Sequence, residues 1–493
     1  MNITKFIEYI NTKTKQNIDS SYYSHIDKWR EYWKGYVPAF HTIKETGLDG
    51  AKHSRDLFSM RMPKKACEDW ASLLLNDKTT ITVKDEKTAK WLVGDGQITG
   101  VLGKLKFWRN ANAIVERAFW SGTGAFVISL ENMQVKKGLI MPSDLSQINI
   151  DYLDASCIIP LTVKHGKIID VAFAIDVFIK GRKYIYLQTH ILTQTGYQIT
   201  NQFYTCEDER IEKPKYTQVK LDGIAERFMT ASTVPLFAVF SPGIVKNIDG
   251  GEGLGMSVFA EAIDAAKQVD IAFNNYHRDI FLGGKKVFYN RKLTKEYITS
   301  SGETITIAPD EVQQQLFYQS GDGDDLDNQR DVYEYNPSLR VDENRKAVQD
   351  ALNYFSFKVG LGTHHYQFEG GNITTATQYN GDRQDMVQNA NKHQIALEDA
   401  LIDVVKAILW AGKNILGQDI DENTEVTINW DDSYIMDSGA RRNIDKDDAL
   451  NGFIPKYKYN MEWRGMSEDE AKKAVAQAQS ESGTDEQLGF GDI

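Results

Sequence analysis

The chain has 493 residues, enough for two or three domains around a substantial core. Its 41% hydrophobic and 26% charged residues are an ordinary globular composition, which argues against a disordered or fibrous chain. A net charge of −12 argues against a broad basic face that grips nucleic acid, but not against a surface that lets a polyanion pass without sticking.

In chain order, apolar periodicity predicts helices over residues 19–34, 55–76 and 99–120. The last rests on Leu102, Leu105, Trp108, Ala111, Ile114 and Ala118. After the turn Ser121-Gly122-Thr123-Gly124, strands are predicted over 125–130, 146–151, 157–163, 168–178, 183–191, 196–205 and 235–240. Residues 171–178 and 183–187, separated by Gly181, read as an antiparallel hairpin. This first territory is α+β.

The second territory is a sequence of helix, insert, helix, loop and helix. Phe259, Ala262, Ala266, Val269, Phe273, Tyr276 and Ile280 alternate spacings of three and four, one narrow apolar stripe. Glu261, Asp264, Lys267, Asp270, Arg278 and Asp279 occupy the other faces, which suits packing between neighbouring helices. After an insert of strand and acidic loop, Val348, Leu352, Phe355 and Val359 form a second stripe. Asp342 and Glu343 at its start and Lys358 at its end complement the helix dipole, and Gly360 and Gly362 stop it. A third helix runs from about Thr375 to Gly412. Its stripe of Leu397, Leu401, Val404, Ile408 and Ala411 lies in the second half, and the first half is polar. That pattern fits a helix leaving a core to cross open space, or an ordinary helical domain with a polar helix end.

Beyond Gly417 come a strand (residues 426–430), an acidic turn at Asp431 and Asp432, and helices over 439–451 and 467–481. Ser467-Glu468-Asp469-Glu470 has the spacing of a capping box. The polar tail from Ser480 is expected to be disordered. No internal repeat is visible. Cys67, Cys157 and Cys206 are odd in number and lack metal spacing, as for free thiols in a reducing compartment. Met1-Asn2-Ile3-Thr4-Lys5 begins no secretory signal, and no apolar run has the length of a membrane span. The expectation is synthesis in the cytoplasm and no membrane partner.

The motifs that carry chemistry fail on spacing. Gly250-Gly251-Glu252-Gly253-Leu254-Gly255 follows a strand and precedes a helix, but the last glycine of a dinucleotide fingerprint is replaced by Met256 or Val258. A hinge before a long helix is the alternative. Gly284-Lys285-Lys286 has neither the spaced glycine nor the hydroxyl of a phosphate loop. Gly255-Met256-Ser257-Val258-Phe259 lacks the second glycine of a nucleophile elbow. The acidic run 322–327 has Tyr333 where a calcium loop begun at Asp322 needs glutamate. His364-His365 has no carboxylate or cysteine at ligand spacing, so solvent-exposed loop histidines are expected rather than a metal site. The stretch 360–372 joins hinge glycines to aromatic and polar donors. It reads as a mobile loop that touches a polyanion or as a plain surface loop.

Several segments carry a resemblance by their order. They are 69–76 before strand 80–83; Gly122-Thr123-Gly124-Ala125-Phe126; and residues 152–155 with Ile159-Pro160. Next come 253–259 with Asp270, Asp279-Ile280 and Lys286-Val287-Phe288, then 336–341 with 356–362. Thr374-Thr375-Ala376-Thr377, and 431–435 with 467–471, complete the order. Over nearly the whole chain this order resembles portal proteins of tailed bacteriophages, of the kind found in long-tailed phages of Gram-positive hosts. The family shows a glutamate shortly after the Thr-Ala-Thr run, where Gln378 stands here, a departure that softens one contact.

The resemblance implies a portal fold in a ring oligomer, typically of twelve subunits, at one vertex of the capsid. It implies a wing over 1–255, stem helices over 256–284 and 341–359, a clip over 285–340 and a tunnel loop over 360–374. It further implies a long spanning helix over 375–416, a wing strand over 417–435, and a crown with the C-terminal tail over 436–493. The implied partners are further copies of the chain, double-stranded DNA bound without sequence preference, terminase, a head-completion or adaptor protein, and the major capsid and scaffold proteins. No cofactor and no enzyme activity are implied. The tunnel-loop residues expected at the DNA channel are Gly360, Gly362, His364, His365, Tyr366, Gln367, Gly370, Gly371 and Asn372. Lys267, Arg278 and Lys358 are the stem charges that would form sparse positive rings if they face the channel. Two other readings stay open: a different head–tail connector, or a phage DNA-processing enzyme, against which the missing motifs weigh.

Overall fold

The computed structural model describes all residues except 1, 16, 47–49, 77, 144–145, 209, 222, 290–295, 299, 303, 307–316, 320–331, 368–375, 431–437 and 483–493. The acidic run 322–327 and the tail from 483 therefore lie outside the described residues.

In the first territory, α1 (Ile3–Thr14) is capped by the Asn2 side chain, which accepts the Lys5 N–H, and buries Ile3, Phe6, Ile7 and Ile10. α2 (Tyr23–Lys34) ends on Gly35 at φ +86°, the left-handed stop that glycine adopts without penalty. α3 (Pro38–His41) leads into a hairpin of β1 (Thr42–Thr46) and β2 (Lys52–Asp56). The predicted helix 55–76 is shortened by this hairpin to α4 (Met62–Leu74), which has a proline in its first turn. β3 (Thr80–Val83) and α5 (Glu86–Leu92) follow. The predicted helix 99–120 is broken into α6 (Val101–Lys104) and α7 (Phe107–Ser121), because Lys106 takes a left-handed φ of +51° between them.

Two sheets lie beneath these helices. β4 (Gly124–Glu131) is the centre of the smaller one, between β7 (Gln147–Asp154) and β14 (Phe237–Phe240). Residues 124–128 are all buried, which explains their unbroken apolar run. The larger sheet is an antiparallel meander of β8 (Ile158–Lys164), β9 (Lys167–Ile179), β10 (Arg182–Thr193) and β11 (Gly196–Cys206). It is extended by β12 (Tyr216–Val219), by β13 (Arg227–Met229), and by the small hairpin of β5 (Gln134–Lys136) and β6 (Leu139–Met141). The predicted hairpin stands: Ile179 pairs with Arg182 across Lys180 and Gly181, both at positive φ.

The helix predicted from Phe259 starts later, as a 3-10 turn over Ala260–Ala262 and then α8 (Ile263–Leu282). The preceding residues are held extended against the end of α7. Gly255 donates its N–H to Thr123 Oγ1 at 2.9 Å, and Val258 donates its N–H to the Phe119 carbonyl at 2.9 Å. α9 (Val341–Lys358) returns beside α8. Asp279, near the end of α8, accepts from Arg340 and from Asn344, each at 2.8 Å, so the two helices run antiparallel. Between them, β15 (Lys286–Tyr289) pairs parallel with β18 (Phe317–Gln319) and antiparallel with β19 (Val332–Tyr335), beside a hairpin of β16 (Glu296–Ile298) and β17 (Thr304–Thr306).

α10 (Ala376–Asn414) has 39 residues, about 58 Å of helix, and its second half buries Leu397, Leu401, Val404 and Ile408. β20 (Val426–Asn429) then pairs antiparallel with β3, joining the late chain to the first territory. α11 (Ser438–Asn451), α12 (Lys456–Arg464) and α13 (Glu468–Ser482) end the described chain. α12 is an addition to the two helices predicted here. The capping box of α13 is reciprocal: Ser467 Oγ accepts the Glu470 N–H at 3.4 Å, and the Glu470 carboxylate accepts the Ser467 N–H at 3.0 Å.

Candidate functional site

The stop after α9 is built by backbone chemistry. The Leu361 N–H reaches the Ser356 carbonyl, and the Gly360 N–H reaches the Phe357 carbonyl at 3.1 Å, with Gly360 at φ +84°. This is the double bond pattern of a glycine-terminated helix, and Leu361 is buried beneath it. Gly362 also has a positive φ, +82°.

The segment that follows is fastened from three sides. Trp70, fully buried on α4, donates its indole N–H to the Val359 carbonyl at 3.0 Å. Asn389 of α10 donates to the Gly360 carbonyl at 3.0 Å, and Gln349 of α9 donates to the Tyr366 carbonyl at 2.7 Å. The Tyr366 hydroxyl donates to Asp69 Oδ2 at 2.9 Å, and His365 Nε2 lies 3.5 Å from the same oxygen. Lys65 approaches the other carboxylate oxygen. Burial of Asp69 works to raise its pKa, but the bonds from His365, Lys65 and Tyr366 outweigh it and hold the carboxyl below its ordinary value. Burial, reinforced by the Asp69 charge, pushes the Tyr366 phenol up, so it remains a donor.

Of the expected loop residues, His364, His365 and Gln367 are exposed, and Tyr366 is half-buried and turned to Asp69. His364 Nδ1 and Gln367 Nε2 bond to each other at 2.8 Å. Gly370, Gly371 and Asn372 lie outside the described residues.

The expected stem charges divide. Lys267 and Arg278 are eleven residues apart, about three turns, and so share one face of α8. Lys267 bonds to Asp264 at 2.9 Å and lies 6.0 Å from the centre of the Phe40 ring. Arg278 lies 3.6 Å from Glu45 of β1. Both cations thus sit toward the chain's own 40–45 segment. Lys358 is exposed in the last turn of α9.

A further clamp on α8 has no local sequence signal. Asp270 accepts the Met60 N–H at 2.7 Å, the Ser59 hydroxyl at 3.3 Å and a bond from His41 Nε2 at 3.1 Å. His41 Nδ1 accepts the Val37 N–H at 2.9 Å, which leaves Nε2 to carry the proton facing the carboxylate. One turn on, Asn274 Oδ1 accepts the Phe58 N–H and its Nδ2 donates to the Phe58 carbonyl. Residues 41 and 58–60, which flank the first hairpin, are thereby bolted to α8. Among the described residues, no group of three or more His, Cys, Asp or Glu is arranged to hold a metal ion, and no helix is long and apolar enough to cross a membrane.

No curated protein matches the chain. A solved structure described as "Neck of native GTA particle computed with C12 symmetry" is similar at 10% identity, covering 81% of this chain and 89% of that one, with a TM-score of 0.34. A likeness that loose carries no weight on function. A family model, "Phage portal protein, SPP1 Gp6-like", matches residues 12–487. That match runs from α1 past the end of α13 and takes in the helix pair, its insert and the fastened segment after α9, so the chain belongs to the SPP1 Gp6-like phage portal protein family, with the function of a portal or connector.

Proposed function

We propose that the chain forms a ring, of twelve subunits, whose central channel passes double-stranded DNA during packaging and ejection. Membership in the family implies a place at the capsid vertex of the virion, ring assembly and phage head partners, in a structural rather than enzymatic family. Our reading adds terminase docking on the ring for packaging and a head-completion protein docking later, with assembly in the host cytoplasm. It also takes α8 and α9 as the stem, the insert between them as the clip, the first territory with β20 as the wing and α11–α13 as the crown.

The observation that carries the ring is the helix pair. Its near end is buried, with Phe259, Val269, Leu352 and Phe355 inside. At the far end of α8, Ile280, Phe281 and Leu282 are exposed, and Ile271, Tyr354 and Phe357 are exposed on outer faces of the pair. Uncovered apolar residues on two packed helices fit burial against neighbouring copies. A net charge of −12 fits a channel wall on which DNA slides, since a wall of the opposite sign would hold the phosphates.

The segment after α9 is the proposed DNA-facing loop. Replacing Gly360 and Gly362 together with alanine forces two side chains into left-handed backbone, at about 1 kcal/mol or more each. The expected outcome is intact rings with impaired DNA packaging, read as DNA per particle in a complementation assay. Normal packaging by that double variant would remove the loop from the mechanism.

A further inference from the structure

We infer that Asp69 and Trp70, neighbours on α4, are positioning residues for the proposed DNA-facing loop. Together they fix residues 359–367 to the first territory rather than to the stem helices alone. The inference rests on the portal reading and extends it, because it places control of the loop on a helix far from the stem in sequence.

Two anchors on adjacent residues make the case. Trp70 holds the Val359 carbonyl at 3.0 Å, and Asp69 holds the Tyr366 hydroxyl at 2.9 Å. The eight residues from Val359 to Tyr366 are therefore closed into a short arch on one helix. Gln349 and Asn389 add bonds from α9 and α10, but each grips one carbonyl only. α4 in turn packs against α2, α7, α8 and α10. A displacement of α4 moves both feet of the arch together, a hold it shares with α9, which carries Val359 at its end and grips the Tyr366 carbonyl through Gln349.

The chemistry also points to a tether rather than simple filling of space. The Asp69 side chain is 16% exposed, and sheltering a carboxylate to that degree is unfavourable unless donors meet it. Two of its donors, Tyr366 and His365, come from the arch. The Tyr366 hydroxyl is committed inward, so the outward part of the arch is His364 with Gln367. The sequence expectation that all four of residues 364–367 lie nearest to DNA is thereby narrowed to those two, with His365 beside the anchor.

The test uses assembled protein and two variants. Tyr366→Phe removes only the hydroxyl, and Asp69→Asn keeps an acceptor for it. Hydrogen exchange is read over 359–367 and over α7, and DNA per particle is read by complementation. Tyr366→Phe should raise exchange over 359–367 by about tenfold, the scale of one lost bond to a charged group, with α7 unchanged and packaging reduced. Asp69→Asn should retain most of the protection and most of the packaging. Unchanged exchange over 359–367, an equal rise in α7, or full packaging with a loosened arch would each overturn the inference. If even the unaltered chain fails to restore packaging, the portal reading fails, and the loop's role with it.

Discussion

Replacing Asp270 with alanine is expected to destabilise the protein by about 3 kcal/mol and to loosen His41, Ser59 and Met60 from α8. Three donors meet this one carboxylate: the Met60 N–H, the Ser59 hydroxyl and His41 Nε2. His41 is 2% exposed and Asp270 7%, so water cannot replace what alanine removes. The backbone N–H of Met60 and the His41 N–H would both be left without an acceptor. Asparagine at 270 restores one acceptor but not the charge, and should fall between. Denaturant midpoints for the three proteins test this, together with hydrogen exchange over 57–61. A loss under about 0.5 kcal/mol for the alanine variant would mean that the clamp is not a stabilising contact.

The second large effect is a loss of stability in mild acid. Burial holds both His190 and His393 neutral by lowering their pKa to about 3. In the unfolded chain a histidine titrates near 6.5. The stability that follows from a depressed pKa is present above 6.5 and drains away as pH falls toward 3, because only the unfolded state takes up the proton. By pH 5 each histidine should cost about 2 kcal/mol relative to pH 7.5, and the two together about 4.

The two sites differ in what a substitution would do. His393 Nδ1 accepts the Gly243 N–H at 2.9 Å, so replacing it strands an amide. Neither ring nitrogen of His190 has a hydrogen-bond partner in the described chain, and the ring stands edge-on to Phe173 and Phe237. His190→Leu should therefore stay within about 1 kcal/mol of the parent at pH 7.5 and remove about half of the acid loss. Urea titrations at pH 7.5, 6 and 5 read both. An unaltered pH slope in His190→Leu would show that its burial is not the source.

What was legible in the sequence was local. The stripes of α8, α9 and the second half of α10, the hairpin at Gly181, the capping box at Ser467 and the stop at Gly360 all rest on spacing and turn chemistry within one element. α1 belongs with them, since Ile3, Phe6, Ile7 and Ile10 have helical spacing, yet it was not among the predicted elements. The first hairpin was not legible, because Thr-Ile-Lys-Glu-Thr and Lys-His-Ser-Arg-Asp lack a buried face to signal it. Lys106 gives no local warning that it will break a periodic helix in two. The site's anchors were hidden for a different reason. Trp70 and Val359 are 289 positions apart, and Asp69 and Tyr366 297. Asp69, Trp70 and Asp270 are visible as parts of an ordered pattern, but their partners exist only once α4, α8 and α9 have packed.

The ring is the central claim, and imaging capsids assembled with this chain by electron microscopy tests it most directly. The account predicts a ring of this protein at a single vertex, with twelve subunits, α8 and α9 lining an axial channel that admits a DNA duplex, and residues 359–367 projecting toward the axis. Density for the chain distributed over many vertices, or a vertex assembly closed on its axis with α8 and α9 turned outward, would contradict it.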